Sequence, residues 1–194
     1  MSRPAASDQA ILDGAQKALD RHGWQHLTIE RVAEEAGLSR ATLHRRGVTK
    51  EELLGRLGER AVDAYRKAMW PVLTAEGDAV ERLERALAVI CELAEANLNL
   101  LLALDAHANA AIFHSAEQEE ALTRDVFTEP LDRLLRDGAA DGTLRPLEPL
   151  ETATVLFNLV GWTYIHLRSG HHWPPDRAKR ATLEIALGGV AATS

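Results

Sequence analysis

The chain has 194 residues, 46% hydrophobic and 26% charged, with a formal net charge of −7, which suits one sizeable core or a small and a medium one and excludes disorder as the main state. No apolar run approaches the roughly 20 residues of a membrane span, and Met1 to Ala10 lacks an apolar signal-peptide core, so a cytoplasmic protein with no membrane partner is expected. A single cysteine, Cys91, excludes an internal disulfide and a cysteine-based zinc site, in keeping with a reducing compartment.

The chain reads as helix after helix, with no convincing strand alternation, and is expected to be all-α. The spacing of Ile11, Leu12, Ala15, Ala18 and Leu19 predicts a first helix from about Ser7 to His22, ended by Gly23, with Trp24 packing beneath it. Thr28 suits the cap of a short second helix, Ile29 to Ala36, whose inward residues are Ile29, Val32, Ala33 and Ala36. Gly37 breaks it. Ser39 caps a third helix, Arg40 to Arg46, which is too short to be stable alone and must be held by packing.

Helix, glycine turn and short helix make a helix-turn-helix. Small Ala33 permits a close crossing, Gly37 gives the turn its freedom, Leu38 plugs the gap, and Leu43 is the one apolar residue of the third helix that must face inward. Arg40, Ala41, Thr42, His44 and Arg45 then project outward. Arginine suits a bidentate pair with guanine, Ala and Thr suit a thymine methyl, and Lys50 at the next helix start suits a phosphate. The charge distribution agrees. Residues 1–60 hold ten Lys+Arg and nine Asp+Glu, leaving twelve and twenty for residues 61–194. Between Thr28 and Lys50, five basic residues (Arg31, Arg40, Arg45, Arg46, Lys50) face three acidic ones (Glu30, Glu34, Glu35). A basic patch on an acidic body can bind nucleic acid without adhering to every polyanion.

The stretch Thr28 to Leu53, TIERVAEEAGLSRATLHRRGVTKEEL, resembles the DNA-binding signature of the TetR family of transcriptional regulators. The resemblance covers the N-terminal quarter to third. It implies an N-terminal three-helix helix-turn-helix DNA-binding domain over residues 1–50 and a C-terminal helical ligand-binding and dimerisation domain over residues 51–194, about nine helices in all. Transferred by position, it implies base contacts from Arg40, Ala41, Thr42 and Arg45, and phosphate contacts from Thr28, Ser39, His44, Arg46 and Lys50.

Two departures stand out. His44 replaces the family's usual tyrosine, making a phosphate contact there sensitive to pH, since histidine titrates close to neutrality. Gly47 replaces a phenylalanine that usually anchors the third helix, a loss expected to loosen it by about 3 kcal/mol unless Val48 or Trp24 fills the space.

Further on, a long fourth helix is predicted from about Lys50 to Trp70, ended by Pro71. Asp78 caps a fifth, Ala79 to about Ala96, with Val80, Leu83, Leu87, Ile90 and Leu93 on its buried side. A sixth spans about Asn97 to Ala108, and a seventh Ala116 to Gly138, bent or interrupted by Pro130, with a turn at Asp141-Gly142. Two more follow, Glu151 to Ser169 and about Pro175 to Leu187.

The eighth helix is apolar on nearly all sides from Ala153 to Ile165 and must be covered twice. The resemblance suggests a pocket on one side and a symmetry mate on the other, and the ninth helix, with Ala178, Ala181, Ala186, Gly188 and Gly189, permits close approach. A twofold homodimer through a four-helix bundle is expected.

Trp70, Phe113, Phe127 and Trp162, with Asn158, Thr163 and His166 as polar groups in a mostly apolar helix, are candidates for a small, largely apolar effector. The alternative is that Asn158 and His166 bond to neighbouring helices or across the dimer. His107, His114, Asp105 and Glu117 lack a tight two-His spacing, so no metal and no cofactor is expected. Cys91, amid apolar neighbours, reads as a buried small hydrophobe.

The resemblance implies a repressor released from a palindromic double-stranded DNA operator by a small molecule. A helical enzyme is the first alternative, although the chain has no glycine-rich phosphate loop, nucleophile elbow or HExxH pair. A protein-interaction module of the same fold, with weakened DNA binding, is the second.

Overall fold

A computed structural model describes residues 5–108 and 124–192. Nine α-helices lie among the described residues: α1 (Ala5–His22), α2 (Ile29–Glu35), α3 (Arg40–Arg45), α4 (Lys50–Thr74), α5 (Ala79–Ala96), α6 (Leu98–Ala108), α7 (Glu129–Asp141), α8 (Pro149–Ser169) and α9 (Pro175–Val190). A 3-10 turn at Trp24–His26 and a π turn at Arg124–Thr128 complete them. The chain divides into two compact units, one of Met1–Ala61 with Asn99–Asn109, the other of Val62–Leu98 with Ala110–Ser194.

The first unit is built on the predicted apolar stripe of α1. Ile11, Leu12, Ala15, Ala18 and Leu19 pack with Val32 and Ala33 of α2, Leu43 of α3, Leu53, Leu54 and Leu57 of α4, and Leu100, Ala103 and Leu104 of α6. Gly14 allows α1 and α2 to meet closely, since a Cβ there would lie 2.7 Å from the Ala36 backbone nitrogen. The turn after α2 is a Schellman cap: Gly37 has φ +66°, its N–H donates to the Glu34 carbonyl, and the Leu38 N–H donates to the Ala33 carbonyl.

In the second unit α5 buries Ala79, Leu83, Ala86, Leu87, Ile90, Cys91 and Ala94. The other walls come from Leu131, Leu134 and Leu135 of α7, from Ala153, Leu156, Val160, Tyr164 and Ile165 of α8, and from Ala178, Leu183, Ala186 and Val190 of α9. Gly138 is a second obligatory close approach, because a Cβ would fall 2.4 Å from the Leu144 side chain. An isolated bridge between Leu144 and Ala191 pins the end of α9, which continues past the expected Leu187 to Val190.

One expectation needs correction. Pro71 does not end α4, which runs on to Thr74. Pro71 is exposed and lies in the last turn, where loss of one backbone bond on the solvent side costs less than in a helix interior. Pro130 sits in the first turn of α7, directly after the π turn, where its missing N–H has no helical partner to lose. Residues 116–123 of the expected seventh helix lie outside the described residues. No single helix among the described residues is long and apolar enough to cross a membrane.

Candidate nucleic-acid interface

α3 has six residues and therefore owes its place to capping and to one buried side chain. The Ser39 hydroxyl accepts from the Thr42 N–H at 3.2 Å and shares a second bond with the Thr42 hydroxyl at 2.8 Å. Leu43 is fully buried, the only buried residue of the helix. Its inward direction leaves Arg40, Ala41, His44 and Arg45 exposed, with Thr42 half-buried. At the start of α2, Thr28 accepts from the Arg31 N–H at 3.3 Å and is exposed.

Gly47 is more than a missing aromatic. It has φ +63°, its N–H donates to the His44 carbonyl at 3.0 Å, and it ends α3 in the left-handed conformation glycine favours. A Cβ there would meet no atom within 4 Å, so the position opens outward and encloses no cavity. Trp24 and Val48 pack against the first unit's core.

The cations are less free than their spacing implies. Arg40 Nη2 donates to Glu30 Oε1 at 2.5 Å, and Arg46 pairs with Asp8 of α1. Lys50 is drawn over the Trp24 ring, 4.1 Å from its centroid, and donates to the Trp24 carbonyl at 3.4 Å. Arg45 Nε donates to the Ala41 carbonyl at 3.3 Å on an exposed face. Glu30 has its carboxyl held below the usual range by the α2 backbone, then by Arg40 and Thr28, so it stays ionised near neutrality. Sequence separations of 10 and 38 residues hid these two ion pairs, although both acids sit in first turns of short-range helix signals.

The effector candidates do not gather into one place. Asn158 and His166 are exposed on α8; the Asn158 amide donates to the Thr154 carbonyl at 2.9 Å, and His166 Nδ1 lies 2.9 Å from the Trp162 carbonyl. Both groups are bonded to the backbone of α8 itself. Trp162 and Thr163 are half-buried, Trp70 is 68% exposed, and Phe113 lies outside the described residues, as do His114, Glu117 and the His107 side chain. Phe127 instead stacks with two rings not on the effector list, Tyr65 at 5.0 Å and Phe157 at 5.1 Å, while the Tyr65 hydroxyl donates to the Phe127 carbonyl at 3.0 Å. The π turn carrying Phe127 had no readable sequence signal. Cys91 is buried, and burial pushes its thiol up to about 12.

α8 and α9 leave several large apolar side chains exposed. Val155 is 61% and Ile185 72% exposed, with Leu159 beside Val155 on α8.

Residues 11–57 match the family model of bacterial regulatory proteins, tetR family. An uncharacterized HTH-type transcriptional regulator, YfiR of Bacillus subtilis (strain 168), is 26% identical over 158 residues, covering 76% of this chain and 72% of that protein. A candidate transcriptional regulator from Saccharomonospora viridis, solved in complex with choline, superposes with a TM-score of 0.77 at 21% identity, over 98% of this chain and all of the other. AibR, solved with isovaleryl coenzyme A and operator DNA, gives 0.67 at 16% identity, over 92% and 97%. At such identities the two structures speak for the fold.

Proposed function

We propose that this chain, which belongs to the TetR family of bacterial regulatory proteins and is a DNA-binding transcriptional regulator, is a cytoplasmic homodimeric repressor released from a palindromic operator by a small, largely apolar effector. DNA contacts come from residues 1–50, effector binding and dimerisation from residues 51–194. Arg40, Ala41, Thr42 and Arg45 meet base edges, and Thr28, Ser39, His44, Arg46 and Lys50 meet phosphates.

The observation that carries this is the division of α3 between one buried leucine and an outward face of Arg40, Ala41, His44 and Arg45. The ion pairs of Arg40 and Arg46 are exposed at one or both partners, and exposed pairs are weak enough to leave both cations available to DNA. The exposed Val155, Leu159 and Ile185 support a second copy packing on α8 and α9. The ring cluster of Tyr65, Phe127 and Phe157 supports an apolar effector wall. Two relatives of this fold were solved with small molecules, choline and isovaleryl coenzyme A.

Two heads read half-sites about 34–36 Å apart, so an effector that favours a spacing a few ångströms different lowers operator affinity. It must bind the released state more tightly by several kcal/mol to switch occupancy fully. Selection of bound duplexes from a random pool tests the proposal: a twofold-symmetric motif rich in guanine at the Arg40 and Arg45 positions is expected, and an unsymmetric or absent motif contradicts it. A second function, a protein-interaction module, is favoured by the pairing of Arg40 with Glu30 and Arg46 with Asp8. It predicts no enrichment in the same selection.

A further inference from the structure

Arg40 opens α3 with 74% of its side chain exposed, yet one of its nitrogens is already committed, Nη2 donating to Glu30 Oε1 at 2.5 Å. Glu30 lies in the first turn of α2, beside Thr28, so its carboxylate occupies the surface on which a DNA backbone would rest if α3 enters a groove. It is ionised near neutrality, held so by the α2 backbone, Arg40 and Thr28. This anion therefore travels with the reading head.

We propose that Glu30 is a specificity-determining residue of the DNA-reading face, one that penalises phosphate contacts of Arg40 while sparing its contacts with a base. The inference rests on the DNA-reading function proposed above. A phosphate approaching Arg40 also approaches Glu30, and the pair as a whole is neutral, so little counterion is released and non-specific binding gains little. Guanine presents neutral acceptors, N7 and O6, to which Glu30 offers far less repulsion. The guanidinium has five N–H donors, and the bond to Glu30 uses one, so a bidentate base contact can form while the carboxylate still fixes the side chain. The acid thereby disfavours the wrong complex more than the right one. Arg46 with Asp8 repeats the pattern at the other end of α3, although there the acid comes from α1.

The test uses the full chain, a labelled operator duplex obtained by selection and a scrambled duplex of the same composition, with binding followed by fluorescence anisotropy across a salt series. E30Q should bind the scrambled duplex about three- to tenfold tighter, with a salt slope steeper by about one per head, and should change operator affinity less, so the ratio of the two falls. E30A should do the same. Adding Arg40→Ala to E30Q should abolish the gain. An unchanged scrambled-duplex affinity, or a ratio that rises, overturns the role of Glu30. If that happens while Arg40→Ala still weakens operator binding, the DNA-reading function stands alone. If the wild-type chain binds neither duplex, both fall.

Discussion

Arg168 of α8 grips Glu95 of α5 with two hydrogen bonds, Nε to Oε2 at 2.7 Å and Nη2 to Oε1 at 2.8 Å, and the Tyr164 hydroxyl adds a third to Oε2 at 3.0 Å. Arg168 also donates to the Trp173 carbonyl, tying the turn between α8 and α9 to the same centre. The Arg168 hydrogen bonds hold the Glu95 carboxyl below its usual range against the opposing effect of burial. A depressed carboxyl stabilises the fold above its ordinary titration range, and that contribution is lost as pH falls through the lowered value. Glu95 is 35% exposed, so solvent screening limits the effect. Glu95→Gln should cost about 1 kcal/mol at neutral pH. Urea unfolding at descending pH checks this: the difference from wild type should shrink below about pH 4, and a difference independent of pH would contradict it.

Leu43→Ala should destabilise the first unit by about 3 kcal/mol, because it removes the one buried side chain of a helix that cannot stand alone. Leu43→Met should cost under about 1.5 kcal/mol. Denaturant unfolding of both variants measures the contrast, and equal losses would mean that Leu43 does not anchor α3.

Two glycines in helices predict opposite signs. Gly14→Ala should destabilise by about 1–3 kcal/mol despite alanine's better helix propensity, because the added Cβ meets the Ala36 backbone at 2.7 Å. Gly55→Ala should stabilise by about 0.5–1 kcal/mol, since nothing lies within 4 Å of its Cβ. Thermal unfolding of the pair separates close packing from propensity.

Ile185→Lys, at an exposed large apolar side chain of α9, should turn a dimer into a monomer at micromolar concentration. Sedimentation equilibrium reads this directly. A wild-type chain that is already monomeric would refute the dimer.

Much of this could be read from residues alone where local chemistry decides. Thr28, Ser39 and Asp78 accept the bonds their positions predict, and Leu43 faces inward because no other α3 residue can. The contact of Gly14 with Ala36 could not be read, since it depends on how closely α1 and α2 cross. Nor could the pairing of Arg40 with Glu30, where charge pattern gives a sign but no partner. Nor could the exposure of Asn158 and His166, on a helix apolar on nearly all sides, although a count by turns groups them on one face with Glu151 and Thr154, at spacings of three, four and eight residues.

Arg45 offers the sharpest test of the reading head, because it projects from α3 with its Nε bonded only to its own helix, at the Ala41 carbonyl. Operator affinity of wild type and Arg45→Ala, measured across a salt series, should show a steep negative log–log slope and a loss of about 1–3 kcal/mol per head in the variant, larger on the operator than on scrambled duplex. A binding curve indifferent to salt, or a variant that binds operator as well as wild type, would contradict the account of α3 as a DNA reader.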